Sequence, residues 1–247
     1  MPDVVKISFE IGTPLGPRSI DIEVEDVATR LAELVPIAQL VTDGFLDASM
    51  AHQRAEGREI SCQAGCGACC RQYVAISIPE AFYVAEMLSE LPEDRRTLYA
   101  ERMAAITKQL QQEGLLERVL EPTTDRERLL DLPKEYFRLG LACPFLTDES
   151  CAIYPHRPTP CRDHNITSPA ELCRDPYGNT LVKVPSPLPL SGLLSQLTAV
   201  LCGGPRVLVP LSQVTAWVET HRELDERSWS GPALVKDFLD LLGPPGD

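Results

Sequence analysis

Basic residues are scarce in this chain relative to acidic ones. Its 247 residues include 23 Lys and Arg against 36 Asp and Glu, which gives a formal net charge of −13 at pH 7. Proteins that bind nucleic acid neutralise phosphates with clustered Lys and Arg side chains. The charge balance therefore predicts that nucleic acid is not a partner.

Long hydrophobic runs are also missing. The most apolar stretch, roughly residues 185–202, is interrupted by two prolines and by Ser and Gln side chains, whereas a membrane span needs about 20 predominantly apolar residues. Residues 1–6 show no basic segment followed by an apolar run, so no signal peptide is expected. We therefore expect no membrane association and a cytoplasmic protein, in which thiols stay reduced.

Several signatures of familiar enzymes are absent as well. The sequence contains no phosphate-binding loop, no G-x-S-x-G elbow and no H-E-x-x-H helix. The chemistry that is present is concentrated in cysteine.

Eight of the nine cysteines fall in two groups. The first group has the spacing C-x3-C-x2-C-C, and the second follows at intervals of eight, ten and twelve residues. Thiolates are soft donors that suit zinc and iron–sulfur clusters, so all eight are predicted metal ligands. A disulfide framework is the alternative, and the expected reducing compartment argues against it. The groups are Cys62, Cys66, Cys69, Cys70 and Cys143, Cys151, Cys161, Cys173.

The spacing within the first group suits a loop around one metal centre. Cys62, Cys66 and Cys69 are close enough in sequence to wrap a single centre, and the intervening glycines let the backbone turn sharply. We expect this triple to share a centre with at least one cysteine of the second group. Neighbouring side chains diverge, so Cys70 is expected to reach a second metal or to support the first. Two tetrathiolate sites, one cluster plus one zinc, and one site with spare thiols all stay open.

Basic side chains beside these cysteines are candidates for charge compensation. A tetrathiolate zinc site and an oxidised 4Fe–4S cluster each carry about two negative charges. Arg71 and Arg162 are the expected counter-charges, with Arg157 and His164 nearby; His164 could also be a ligand, although a polar loop residue is the simpler interpretation. Cys202 is expected to be a buried apolar residue rather than a ligand.

Hydrophobic periodicity predicts a mainly α fold with a small N-terminal β-hairpin, and an irregular, metal-stapled segment packed on the helices. The hairpin is predicted over residues 4–24. Ser77-Ile78-Pro79-Glu80 has the form of a capping box. The predicted helices cover residues 26–54 with a kink at Pro36, 77–91, 93–113, 191–202 with Ser191 as its cap, a segment capped by Ser212, and 233–242; 117–135 is a linker or short helix, and 141–185 is irregular.

Three regions are expected along the chain. Residues 1–57 contain the hairpin and first helix, 58–176 form a cysteine-cluster domain with inserted helices, and 177–247 form a C-terminal helical region packed on the same core.

The cysteine pattern resembles a known family. Its motifs are Cys62 to Arg71, Cys143-Pro144-Phe145-Leu146, Cys151-Ala152-Ile153-Tyr154, Arg157 to Arg162, and Cys173. These motifs are similar to those of the YkgJ-type cysteine-cluster proteins, whose domain is named for the signature CxxCxxCC, although the first gap here has three residues instead of two. The resemblance covers about residues 62–175, and it implies that the chain chelates zinc or iron.

Two enzyme families share part of this pattern. The cysteine motif is similar to that of flagellin lysine N-methylases, which implies that S-adenosylmethionine could be a cofactor and a protein the substrate. C-x3-C-x2-C is also the spacing of radical-SAM enzymes, but those place it after the first strand of a β/α barrel. Here a predicted helix precedes the motif, and no alternating strands and helices follow it.

Three functions remain open from the sequence. The favoured one is a metal-binding protein with an iron–sulfur cluster, most simply 4Fe–4S, or zinc. The others are a cluster-linked protein lysine methyltransferase, and a metallochaperone or structural zinc protein. Iron–sulfur is favoured because eight thiols exceed what one structural zinc needs, and a core of this size does not need zinc to fold.

Overall fold

The structure, a computed structural model, describes residues 2–63, 65–121, 126–186 and 190–243, and only the backbone of 126–129. This part of the chain is mainly helical, and its only strands longer than three residues form the N-terminal hairpin. The predicted fold class is confirmed. None of the described helices has both the length and the apolar character needed to cross a membrane.

The elements are short outside the hairpin and the longer helices. The strands are β1 Val4–Thr13, β2 Gly16–Glu25, β3 Ala28–Thr29, β4 Ala75–Ser77, β5 Leu146–Thr147, β6 Ser150–Cys151, β7 Leu208–Pro210 and β8 Trp229–Ser230. The helices are α1 Val35–Ala55, α2 Ile78–Ser89, α3 Glu93–Gln112, α4 Leu116–Leu120, α5 Arg126–Arg138, α6 Thr159–Asp163, α7 Leu190–Cys202, α8 Val214–Thr220 and α9 Gly231–Asp240.

The hairpin covers the first hydrophobic core. β1 and β2 pair antiparallel from Val4 opposite Glu25 to Thr13 opposite Gly16, and Gly16 adopts the positive φ of 102° that the turn requires. Because strand side chains alternate between faces, Ile20, Ile22 and Val24 are buried together. They pack with α1, α7 and α9, so residues from both ends of the chain share one core.

Gly231 lies where this core leaves no room for a side chain. A Cβ atom would lie 2.7 Å from the carbonyl oxygen of Glu25 and 2.8 Å from Oγ1 of Thr29. We expect Gly231→Ala to lower the free energy of unfolding by about 1–3 kcal/mol in urea titrations, since the backbone must shift. Gly44→Ala is the control, because its Cβ meets only Ile20 Cδ1 at 3.5 Å and alanine favours helix. Equal destabilisation of both variants would contradict this account.

Two further cores support the cysteine region. The second surrounds α2 and the small sheet in which Ile76 of β4 faces Val209 of β7. Cys143, Cys151 and Cys161 pack against it. The third joins the C-terminal half of α3 to α4 and α5.

The carboxylate of Glu80 connects three segments inside the protein. The predicted capping box is confirmed, because Glu80 Oε2 accepts the Ser77 N–H (2.8 Å) while Ser77 Oγ accepts the Glu80 N–H (3.4 Å). The same carboxylate accepts the N–H and hydroxyl of Thr159 (2.7 and 2.8 Å) and the hydroxyl of Ser191 (2.6 Å). Glu80 is fully buried. It therefore holds α2 and α7 against the start of α6, which carries Cys161.

Three local predictions were wrong. The first long helix begins at Val35 rather than Asp26, and Pro36 lies in its first turn, where the missing N–H costs nothing, instead of kinking it. Ser191 is not an N-cap, because α7 already begins at Leu190; its hydroxyl donates to Glu80 instead. The N-cap of α8 is Gln213, one residue beyond the predicted Ser212.

Candidate metal centre

Six short segments carry the eight clustered cysteines. Cys62 and Cys66 lie in the loop before the 3-10 turn Ala68–Arg71, which contains Cys69 and Cys70. Cys143 precedes β5, and Cys151 ends β6. Cys161 lies in α6, and Cys173 lies in the 3-10 turn Ala170–Arg174.

All eight of these side chains line one cavity of about 510 Å³. The two sequence groups therefore meet in space, although more than seventy residues separate them. Cys202 does not line the cavity and packs against the first core. Among the described residues, no three Cys, His, Asp or Glu side chains converge into a ready-made metal site.

Backbone contacts fix the cysteine loop against the second group. The Cys143 N–H donates to the carbonyl oxygen of Cys70 (2.6 Å), and the Ser61 N–H donates to that of Ile166 (2.9 Å). The Cys62 thiol lies 3.8 Å from the carbonyl oxygen of His164. These contacts hold the loop of the first group against the segments that carry the second group.

Two glycines shape the loop. Gly65 has a φ of 85°, a left-handed conformation that side chains disfavour. A Cβ on Gly67 would lie 2.7 Å from both Glu149 Oε2 and Leu146 Cδ1. A side chain at 67 would have to displace these two side-chain ends and would lie 3.2 Å from the Cα of Glu149, so glycine here lets the loop pack closely against the β5–β6 hairpin.

The vicinal thiols titrate as a pair. A hydrogen bond from Cys70 lowers the pKa of Cys69 to about 7, and the same interaction together with burial raises the pKa of Cys70. Burial raises the pKa of Cys143 to about 12 and that of Cys173 to about 11. Most of these thiols therefore hold protons at neutral pH in the metal-free protein, and a metal must displace them.

Alkylation of the metal-free protein is expected to follow the pKa values of the thiols, with the lowest pKa reacting first. Because the thiolate is the nucleophile, Cys69 should react with iodoacetamide first, at a rate that rises as the pH rises through about 7. Cys143 and Cys173 should stay largely unmodified below pH 9. Peptide mapping by mass spectrometry measures each site, and preferential labelling of Cys143 at pH 7 would contradict the assignment.

Arg157 is the cation that faces the cavity. Its guanidinium carbon lies 3.7 Å from the centroid of the Tyr154 ring. In the described part of the chain its Nε is buried without a hydrogen-bond partner, and no carboxylate pairs with it. Burial raises the pKa of Cys62, Cys151 and Cys161, and the charge of Arg157 partly offsets that rise. The hydrogen bond from Cys70 is the main cause of the lowered pKa of Cys69, and the charge of Arg157 acts in the same direction.

The two arginines expected to compensate charge are paired elsewhere. Arg71 binds Glu149 (2.6 Å), and Arg162 binds both oxygens of Asp43 (2.9 and 2.7 Å). Carboxylates distant in sequence therefore neutralise both. Arg157 was one of four basic candidates, and the sequence did not distinguish it.

Three buried side-chain nitrogen atoms without hydrogen-bond partners indicate whether the residues of the cavity fit a thiolate-bound metal. Gln72 Nε2, Arg157 Nε and His164 Nε2 are buried, have no hydrogen-bond partner among the described residues, and belong to residues that line the cavity. Burial lowers the pKa of His164, which favours the neutral ring. Donors of this kind commonly contact the sulfur atoms of metal centres. The donor set therefore fits a thiolate-bound metal. The sequence analysis did not identify Gln72, and the only sequence feature that could have indicated it is its position two residues after Cys70.

Comparison with known protein families gives a match to the segment that carries the two cysteine groups. The family model CxxCxxCC, described as a "putative zinc- or iron-chelating domain", matches residues 61–176. Neither curated proteins nor solved structures give a significant match. The matched segment begins one residue before Cys62 and ends three residues after Cys173, so it contains all eight cavity cysteines. The chain is therefore similar to the CxxCxxCC family over a little under half of its length, and the similarity is confined to the segment that carries both cysteine groups.

Proposed function

We propose that the cavity holds a thiolate-bound iron–sulfur centre with a structural or electron-carrying role. The observation that carries the proposal is the convergence of eight thiols on one cavity, which is also lined by Arg157, whose buried Nε has no hydrogen-bond partner among the described residues. The family description supports chelation of zinc or iron. Cys62, Cys66 and Cys69 are the first ligands, as their short spacing suggests.

Cavity size and ligand number favour a cluster over a single zinc ion. With Zn–S bonds near 2.3 Å, four thiolates enclose one zinc in a small volume. About 510 Å³ lined by eight thiols exceeds that need. The unpaired donors also suit the sulfide and thiolate acceptors of a cluster.

A metal-delivery role is the second candidate. Seven of the eight cavity cysteines are only partly buried, and partly exposed thiols exchange metal more readily than closed structural sites do. Transfer of the metal to a chelator within minutes would favour this role, whereas retention for hours would favour a resident centre. S-adenosylmethionine, a protein substrate and a protein partner rest on the resemblance alone and stay predictions.

Anaerobic purification tests the proposed centre. The protein should be brown, absorb visible light, and contain iron and acid-labile sulfide. A colourless protein with stoichiometric zinc and no sulfide would replace the cluster with a zinc site. A protein that binds neither metal would refute the proposal.

Arg157→Met is expected to lower the reduction potential of the centre by tens of mV. Removing a nearby cation makes an added electron less favourable in a partly buried site, where charges are poorly screened. Arg157→Lys keeps the charge and should retain most of the wild-type potential. Spectroscopic redox titration measures both. A potential that rises in the Met variant would contradict the role of Arg157.

A further inference from the structure

Arg102, on α3, binds the turn that begins with Cys143. Its Nη1 donates to the carbonyl oxygens of Pro144 and Leu146, both at 2.9 Å, and to Oγ1 of Thr147 at 3.4 Å. All three acceptors are neutral oxygens, and two of them belong to the backbone. These charge-assisted hydrogen bonds therefore hold a stretch of main chain in place, instead of pairing the arginine with an acid.

Each carbonyl group of the turn from Cys143 to Leu146 has a hydrogen-bond donor. The Leu146 N–H donates to the carbonyl oxygen of Cys143 (3.0 Å), which closes a β-turn with proline in its second position. The Ala152 N–H donates to the carbonyl oxygen of Phe145 (2.9 Å). Arg102 supplies the donor for the other two carbonyls. One side chain on a distant helix therefore sets the orientation of two peptide groups next to Cys143.

The orientation of a peptide group decides where its N–H points. The C=O and N–H of a trans peptide point in opposite directions, and no described peptide bond is cis. Because Arg102 holds the carbonyl oxygen of Pro144 toward α3, the N–H of Phe145 faces the other way. That N–H donates a hydrogen bond to the sulfur of Cys143. Hydrogen bonds of this kind stabilise a thiolate ligand and tune the metal that it binds.

We propose that Arg102 is a positioning residue of the metal centre. It does not line the cavity, and it acts through the peptide group between Pro144 and Phe145, whose N–H it keeps directed at the sulfur of Cys143. This inference rests on the proposed metal-binding function. It adds to that function a residue outside the cavity that determines how firmly one thiolate holds the metal.

Amide hydrogen exchange of the metal-free protein, measured by NMR, tests the positioning step by itself. In Arg102→Met the Phe145 amide should exchange at least about tenfold faster than in wild type, because its peptide group can rotate away from the sulfur. The Leu146 and Ala152 amides have backbone acceptors and should change by less than about twofold. Wild-type exchange at Phe145, or equal acceleration of all three amides, overturns the proposal.

Arg96→Met is the matched control. It makes the same substitution on the same helix and also removes an arginine–carbonyl hydrogen bond, to the carbonyl oxygen of Ser89 (3.2 Å), away from the cysteines. The Phe145 amide should exchange at the wild-type rate in this variant. If Arg102→Met does not fold by far-UV circular dichroism, Arg102→Lys takes its place, because it keeps a cationic donor but loses the planar guanidinium. The same changes are then expected with smaller size.

Transfer of metal to excess EDTA, followed after anaerobic purification, tests the consequence for the centre. Arg102→Met should lose metal about tenfold faster than wild type, and its thiolate-to-metal absorption per bound metal should be shifted. Arg96→Met should match wild type in both measurements. A merely structural arginine would change the amount of bound metal and leave the absorption per metal as it is. An unchanged absorption per metal in Arg102→Met, at any metal content, therefore overturns the proposal.

The two experiments separate this inference from the function on which it rests. A wild-type protein that binds neither iron nor zinc would refute the proposed function, while the exchange of the Phe145 amide would still show whether Arg102 orients that peptide group. A loaded protein in which Arg102→Met behaves like wild type refutes only the role of Arg102.

Discussion

Cys66→Ser is expected to remove at least half of the visible absorbance of the anaerobically purified protein, whereas Cys202→Ser should leave all of it. Serine is a poor donor for soft metals, and Cys66 lies in the tight loop that lines the cavity. Both variants lose one thiol, so a difference between their spectra reports the position of the thiol and not the number of thiols. Cys202 packs against the first core, away from the cavity.

Absorbance per mole of protein, together with iron and sulfide content, measures this effect. Far-UV circular dichroism should show equal helix content in both variants, since neither substitution removes a large buried side chain. An unchanged spectrum in Cys66→Ser would mean that this thiol is not a ligand. Equal bleaching by Cys202→Ser would indicate a general loss of stability.

Glu80→Ala is expected to lower the free energy of unfolding by about 3–5 kcal/mol. The substitution leaves buried N–H and hydroxyl donors of Ser77, Thr159 and Ser191 without their acceptor and opens a cavity beside them. Removing one partner from a buried polar network is more costly than its net contribution suggests, because the others stay buried and unsatisfied. Urea unfolding measures the change.

The matched control is Glu90→Ala, at the exposed end of the same helix. A surface substitution of this kind should change stability by less than about 0.5 kcal/mol. Thr159 lies two residues before Cys161, so Glu80→Ala should also reduce metal retention at temperatures where the fold persists. Wild-type stability in Glu80→Ala would contradict the role assigned to this carboxylate.

Rules that act within a few residues explain why much of the fold was predictable. The alternation around Ile20 and Ile22 indicates a strand, the capping box at Ser77 and Glu80 marks the start of a helix, and α3 spans Glu93–Gln112 where 93–113 was predicted. The start of α1 was missed because Ala28–Thr29 pairs with Trp229–Ser230, about two hundred residues away. No local pattern reports such a contact.

The candidate site shows the same division between local and distant information. Spacing identified eight cysteines, and the structure places all eight around one cavity. The arrangement of these thiols around the cavity depends on how distant segments pack, so the sequence left the number of sites open. The choice of Arg157 over Arg71 and Arg162 likewise depends on Glu149 and Asp43, which approach those arginines only in the folded chain.

The order in which the cavity cysteines leave the ribosome has a consequence for how the protein matures. Cys62 and Cys173 are separated by more than one hundred residues, which takes on the order of 5–20 s to translate at typical rates. During that interval Cys62, Cys66, Cys69 and Cys70 are exposed before Cys143, Cys151, Cys161 and Cys173 exist. A three-thiolate loop in a nascent chain can already capture zinc or be oxidised. For the metal centre proposed above, we therefore expect loading in the cell to depend on the supply of metal during synthesis as well as on the completed cavity.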